Sequence, residues 1–255
     1  MNLSRARHCA PELIVLDEAG STNDELADRA AVEALPPYTA LVTAHQTAGR
    51  GRRDRGWSTP AGRGLAISVL LPSPPPGEAA WLPLAAGLAM RDSVAALLPH
   101  SDVNVKWPND VLVGERKVCG VLGRLTAQGV VMGAGVNVRL RADELPVPTA
   151  TSLVLAGAAD GPDLDDRLLA GYLARITELV GGLLERGAEA SGLRLAVTAA
   201  CGTLGREVRV ELPGGSEFRG RAVAIAPDAR LVVRTASGDE SVAAGDVVHV
   251  RPASS

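Results

Sequence analysis

Residues 49–57 read GRGRRDRGW, and this run restricts the fold more than any other stretch of the chain. Four guanidinium groups, on Arg50, Arg52, Arg53 and Arg55, fall within six residues. Each like-charged pair at contact distance costs about 4 kcal/mol at the effective dielectric of a protein surface. The run therefore cannot enter a core, and has to sit where water or an anion compensates it. The flanking segments have the opposite character: TALVTAHQ (39–46) and GLAISVLL (64–71) read as buried strands. A charged loop between two core strands hangs over a sheet end. There its glycines present backbone N–H groups, and its arginines present forked donors suited to carboxylate and phosphate oxygens. Three occupants fit such chemistry: nucleic acid, a dinucleotide, or a small anionic substrate.

Composition and spacing separate them. The formal net charge of −3 argues against bulk attraction to nucleic acid or to an anionic membrane, so the arginine run is a local feature. A dinucleotide loop needs a third glycine and must open a helix, but Asp54 stands at that position and RGWSTPAGRG is too rich in breakers to start one. The later GAGVN (133–137) fails likewise, with Val138 in the third place. A clamp over a small anion remains. With 255 residues, 46% hydrophobic, and no apolar run of bilayer length, the chain reads as a soluble globular protein of one large or two unequal domains. The N-terminal segment has no apolar stretch of signal-peptide length. Cys9, Cys119 and Cys201 are too far apart for a disulfide framework or a metal cluster, which predicts a reduced, cytoplasmic protein.

Of 26 basic residues only Lys106 and Lys117 are lysines, and both lie in NVKWPNDVLVGERKVCGVL. In a chain that otherwise uses arginine, these two mark places where a compact ammonium is required. Around them the pattern predicts a strand over 13–17, a helix from about Asn23 to Ala31 with a Thr22–Glu25 capping box, and a mostly apolar helix from Ala79 to about Leu98. Strands then follow across DVNVKW, DVLVGERKVCGVLGRLTA and GVVMGAGVNV, and helix returns from about Asp163 to Arg186 and on to about Ala200. After Cys201 short alternating strands punctuated by PGG, PD and SGD predict a small antiparallel barrel. That segment is neutral, with seven arginines and seven acidic residues, and Phe218 is its only aromatic residue. A packing or lid role suits it better than a proline-peptide groove, which aromatics would wall.

In order, GSTND (20–24), HQTAGRGRRDRGW (45–57), KWPNDV (106–111), KVCGVL (117–122), GAGVNV (133–138) and a small barrel resemble a biotin protein ligase from about Leu13 to Arg251. The arginine loop and K-W-P-N-D are specific in combination. The resemblance implies an α+β fold. Residues 1–202 would form a mixed β-sheet with helices, like the catalytic domain of class II aminoacyl-tRNA synthetases. Residues 203–255 would form a small β-barrel of the Src-homology-3 type. It also implies a two-step reaction: biotin and ATP, with Mg2+, give biotinoyl-5'-AMP and pyrophosphate, and biotin then passes to a lysine of a biotin carboxyl carrier domain. No nucleic-acid or membrane partner is implied, since about a dozen residues precede the first strand, too few for a winged helix-turn-helix. Either a monomer or a homodimer fits.

By the same resemblance Ser21, Thr22, Asn23 and Gln46 hold the biotin head, where hydroxyl and amide groups suit a ureido ring, with Gly133 close beside it. Gly49, Arg50, Gly51 and Arg52 cover biotin's carboxylate and the phosphates; Arg55, Trp57, Asn109 and Asn137 belong to the nucleotide; Lys117 bridges carboxylate and α-phosphate. Lys117, Arg52 and Lys106 are the expected catalytic residues, and Asp110 is the candidate metal ligand. Trp107 and His45 read as structural. Two positions depart from the family pattern, Asp54 in place of a loop glycine and Arg124 in place of an acidic residue. The alternatives are a lipoate or octanoate ligase, and a non-catalytic module that senses biotin or nucleotide.

Overall fold

A computed structural model describes residues 1–212, 215–243 and 246–249, except for the side chains of Asp54 and Asp246. In chain order the first part holds β1 (Leu13–Leu16), α1 (Thr22–Val32), β2 (Ala40–Thr43), β3 (Gln46–Arg50), β4 (Gly56–Thr59), β5 (Gly64–Leu71) and α2 (Trp81–Leu97). Then come β6 (Val103–Lys106), β7 (Asp110–Val113), β8 (Arg116–Thr126), β9 (Gly129–Asn137), α3 (Leu164–Ala190) and α4 (Leu193–Ala200). Seven of these strands form one sheet in the order β1-β2-β5-β9-β8-β7-β6. Only β1 and β2 run parallel, so the sheet is mixed.

All eight residues of β5 are buried, as a strand covered on both faces requires. On one face Leu70 packs with Leu26 and Ala27 of α1 and with Val131. On the other, Leu65, Ile67 and Val69 join the main core with α2 and α3. The strongly apolar α2 is thus an interior helix, between the sheet and α3.

The structure corrects three sequence expectations. Ser21, not Thr22, caps α1: its Oγ accepts from Asp24 N at 3.3 Å, and Thr22 turns inward, where its side chain is buried. The expected strand over 39–46 is two strands, broken where Thr43 Oγ1 accepts from His45 N at 3.1 Å. The arginine run is not an irregular loop but a hairpin, β3 against β4, with Gly49 opposite Trp57 and Arg50 opposite Gly56. A 3-10 turn over Arg52–Asp54 makes its tip, and Arg53 there takes φ of 53°.

Beyond α4, β10 (Glu207–Glu211), β11 (Glu217–Ile225), β12 (Leu231–Thr235), β13 (Gly238–Val242) and β14 (Asp246–His249) form an antiparallel sheet in the order β13-β12-β11-β10-β14. It packs on the larger part through a specific seam. Trp81 Nε1 donates to Pro227 O at 3.0 Å, Trp107 Nε1 donates to Ala229 O at 3.1 Å, and Trp107 N donates to Thr203 Oγ1 at 3.1 Å. Both indoles are buried and end on the β11–β12 turn. No helix among the described residues is long and apolar enough to cross a membrane.

Candidate active site

The start of α1, the β3–β4 hairpin, the K-W-P-N-D turn, β8, β9 and the edge of the C-terminal sheet enclose one cleft of about 1340 Å³. Its floor is bare because glycine recurs along the strands. Gly133 and Gly135 alternate on β9, and Gly120 on β8 pairs with Gly135. A Cβ at 133 would run into the Asn23 amide, and one at 135 into the Trp57 indole. Side chains from α1 and the hairpin can therefore lie directly on the sheet.

One end of the cleft is neutral and polar. Gln46 Oε1 accepts from Thr22 N at 2.9 Å and from Thr22 Oγ1 at 3.2 Å. Asn23 Nδ2 donates to Leu122 O at 3.0 Å, while Asn23 Oδ1 accepts from Ser68 Oγ at 2.7 Å. Ser68 also lies 2.9 Å from Thr22 Oγ1 and is fully buried. Sequence reasoning passed over Ser68, although a hydroxyl inside GLAISVLL was the available signal. The amides are thus held by their neighbours before any ligand arrives.

The other end is cationic. Lys117 Nζ pairs with Asp110 Oδ1 at 2.6 Å and stands 5.5 Å from the centroid of the Trp57 ring. Gly120 makes room for it, since a Cβ there would approach Nζ to 2.9 Å. Arg52 Nη1 donates to Asn109 Oδ1 at 3.3 Å, and Asn109 Nδ2 donates to Val121 O at 2.8 Å. Asn137, buried, donates from Nδ2 to Thr151 O at 3.0 Å. Arg50 Nη2 lies 3.2 Å from Asp24 Oδ2, and Arg55 Nε donates to Arg52 O at 3.2 Å. Trp57 Nε1 is buried with no hydrogen-bond partner among the described residues. Arg53 faces away, donating to Glu211 O at 2.6 Å and so tying the hairpin tip to β10.

Ser21, Thr22, Asn23, Gln46, Arg50, Gly51, Arg52, Arg55, Trp57, Lys106, Asn109, Asp110, Lys117, Gly133 and Asn137 all line the cleft. Gly49 is not among the lining residues. It lies under the Gln46 side chain, where a Cβ would collide with the amide and with Trp57 O, so its part is close approach within the hairpin. His45 pairs with Glu18 at 2.9 Å and is likewise not among the lining residues. Trp107 is core, as its burial shows. Asp54, the departure in the arginine loop, has its side chain outside the described residues. Arg124, the other departure, pairs with Asp24 and approaches Asp28 at 3.9 Å.

The C-terminal sheet contributes His249, which also lines the cleft. Its Nε2 lies 3.1 Å from Thr203 Oγ1, and its pKa is pushed down to about 4, first by burial and then by the charges of Lys106 and Arg206. Its Nδ1 faces Glu115 Oε2 at 4.0 Å. No group of three or more His, Cys, Asp or Glu side chains able to hold a metal ion occurs among the described residues.

The chain is similar to known proteins over most of its length. Residues 17–139 match the biotin/lipoate A/B protein ligase family, and residues 203–250 match the biotin protein ligase C-terminal domain. The chain is 40% identical over 247 residues to a biotin–(acetyl-CoA-carboxylase) ligase of Mycobacterium tuberculosis, covering 94% of this chain and 90% of that protein. It is 31% identical over 240 residues to the protein of that name from Paracoccus denitrificans, covering 91% and 98%. A biotin protein ligase from Aquifex aeolicus, solved in complex with biotin and ATP, superposes with a TM-score of 0.78 at 29% identity, covering 95% of this chain and 100% of that one.

Proposed function

The chain belongs to the biotin protein ligase family, and from that premise we infer that its cleft activates biotin with ATP and that the enzyme transfers biotin to acceptor proteins. The observation that carries this reading is the pairing, in one glycine-floored cleft, of a fixed neutral amide and hydroxyl cluster with a cationic end. The neutral end suits a ureido ring, which needs donors and an acceptor and would be poorly served by charge. The cationic end suits a carboxylate beside a polyphosphate.

In the first step an oxygen of biotin's carboxylate bonds to the α-phosphorus of ATP, and the bond from that phosphorus to the bridging oxygen breaks, releasing pyrophosphate. The attacking carboxylate is already ionised and needs no base. Thr22, Asn23 and Gln46 hold the head group, and Ser21 fixes the helix start that carries them. Lys117 places a compact charge between carboxylate and phosphate, where it can follow charge onto the five-coordinate phosphorus. Arg50 and Arg52 cover the same anions. Asn109 holds Arg52 in place, and Arg55, Trp57 and Asn137 form the nucleotide end. In the second step the amine of a carrier-domain lysine attacks the acyl carbonyl, AMP leaves, and the nitrogen loses a proton. Lys106 stands at the K-W-P-N-D turn, on the side of the cleft where the C-terminal sheet closes it.

Magnesium, when bound, would neutralise phosphate charge. This cation commonly takes one or two carboxylates beside phosphates and water, so Asp110 fits as one ligand although Lys117 pairs with it here. The wider architecture supports a catalytic domain of the class II synthetase kind over 1–202 and a Src-homology-3 type barrel over 203–255. Acceptors would be biotin carboxyl carrier domains.

The test is biotin-dependent exchange of labelled pyrophosphate into ATP by the purified, folded chain. Exchange with biotin is expected. Its absence would overturn the assignment, and exchange supported by lipoate or octanoate instead would move the chain to the neighbouring ligases.

A further inference from the structure

Asp24 occupies an unusual position between two arginines. Its Oδ2 lies 3.2 Å from Nη2 of Arg50 in the hairpin, while its Oδ1 is held by Nη1 of Arg124 on β8. All three residues line the cleft, and Arg124 also approaches Asp28. The carboxylate is the fixed member of the set. It belongs to the first turn of α1, directly after Asn23, and its backbone N–H donates to the Ser21 cap. Arg50 is the member free to depart: its side chain is 69% exposed against 29% for Asp24, and leaving Asp24 would uncover no core. A cation facing one anionic partner at rest, beside a cleft that admits another, can bind by exchange, since the two anions compete for the same N–H groups and the same charge.

We propose that Asp24 and Arg124 are positioning residues for Arg50: Asp24 is its resting counter-anion, Arg124 weakens that hold by taking the other carboxylate oxygen, and the substrate's carboxylate draws Arg50 away. This rests on the assignment of the cleft to biotin and ATP. It has a consequence that an ordinary stabilising ion pair lacks. Asp24 and Arg124 are partners, yet neutralising them moves substrate affinity in opposite directions. Without Asp24 the substrate has no competitor for Arg50. Without Arg124 the competitor is stronger.

The experiment is calorimetric binding of biotin and of biotin methyl ester, which has no carboxylate, to the unaltered chain, Asp24→Asn and Arg124→Gln. Asp24→Asn should tighten biotin, and Arg124→Gln should weaken it, each by about two- to five-fold, the range of a partly exposed ion pair. The ester should bind all three alike, and both shifts should vanish in an Arg50→Gln background. If Asp24→Asn does not fold, Asp24→Ser makes the same comparison while keeping a polar oxygen in the first turn. Shifts of the same sign, no shift, equal shifts for the ester, or persistence in Arg50→Gln would overturn the proposal. Pyrophosphate exchange by the unaltered chain is measured alongside. Its absence defeats the ligase reading and this proposal with it, whereas exchange with same-sign shifts defeats this proposal alone.

Discussion

Lys117 shows how much a single side chain can be asked to do. Its ammonium meets Asp110, faces the Trp57 ring, and occupies space that only a glycine at 120 leaves open. A guanidinium carries the same charge but is planar and broader, and cannot follow a moving negative charge as a point donor does. Lys117→Arg should therefore still bind biotin in calorimetry while pyrophosphate exchange falls by about 100-fold, the typical loss for one transition-state donor. Near-normal exchange would show that a compact ammonium is unnecessary. Lys117 stood out in the sequence because lysine is so scarce in it. Its partner did not. The Asp110–Lys117 pairing depends on a register shift between Val111 and Leu112 where β7 meets β8, and no local pattern encodes that. Ser68 was hidden for a related reason: its partners come from α1, 45 and 46 residues away in the chain.

Among the elements, β9 positions most of the site by what it lacks. Alternating glycines strip one face of the strand, so Asn23 and the Trp57 indole rest on the backbone itself. Gly133→Ala should push Asn23 out of its bonds to Leu122 and Ser68. The expected result is at least about a tenfold loss of biotin affinity in calorimetry, of the order of one buried hydrogen-bonded group. Unchanged affinity would show that the bare floor is not used. The strands and helices of this layer were largely readable from apolar periodicity, and GAGVNV stood out as a motif. The hairpin was not readable. Glycine and arginine hide its two-residue alternation, and what makes it a ladder is the pairing of Gly49 with Trp57 and Arg50 with Gly56. The start of α1 was off by one residue, because both Ser21 and Thr22 can cap and only the burial of Thr22 against Gln46 decides between them.

At the scale of the molecule, the change of texture after Cys201 announced a second sheet, but not how it docks. The seam is made by indole donors reaching carbonyls more than 100 residues away. His249 makes that seam sensitive to acid. In the fold it stays neutral down to about pH 4, whereas an unfolded chain takes up the same proton near its ordinary 6.5. Between these values the unfolded state binds more protons, so stability is full above about pH 6.5, falls through the window, and loses nothing further from this group below about pH 4. Urea unfolding should show a loss of at most about 3 kcal/mol across the window, and His249→Gln should flatten it. An unchanged slope in that variant would remove His249 as the cause. A last consequence follows from where the two lysines stand. Biotinoyl-adenylate that escapes an active site acylates whatever amines it meets, yet every lysine of this chain faces the cleft, one of them already paired with a carboxylate. The enzyme's outer surface carries no lysine amine for its own reactive product to consume, so peptide mass spectrometry after long turnover should find its lysine side chains unmodified while a lysine-rich bystander protein in the same tube becomes labelled.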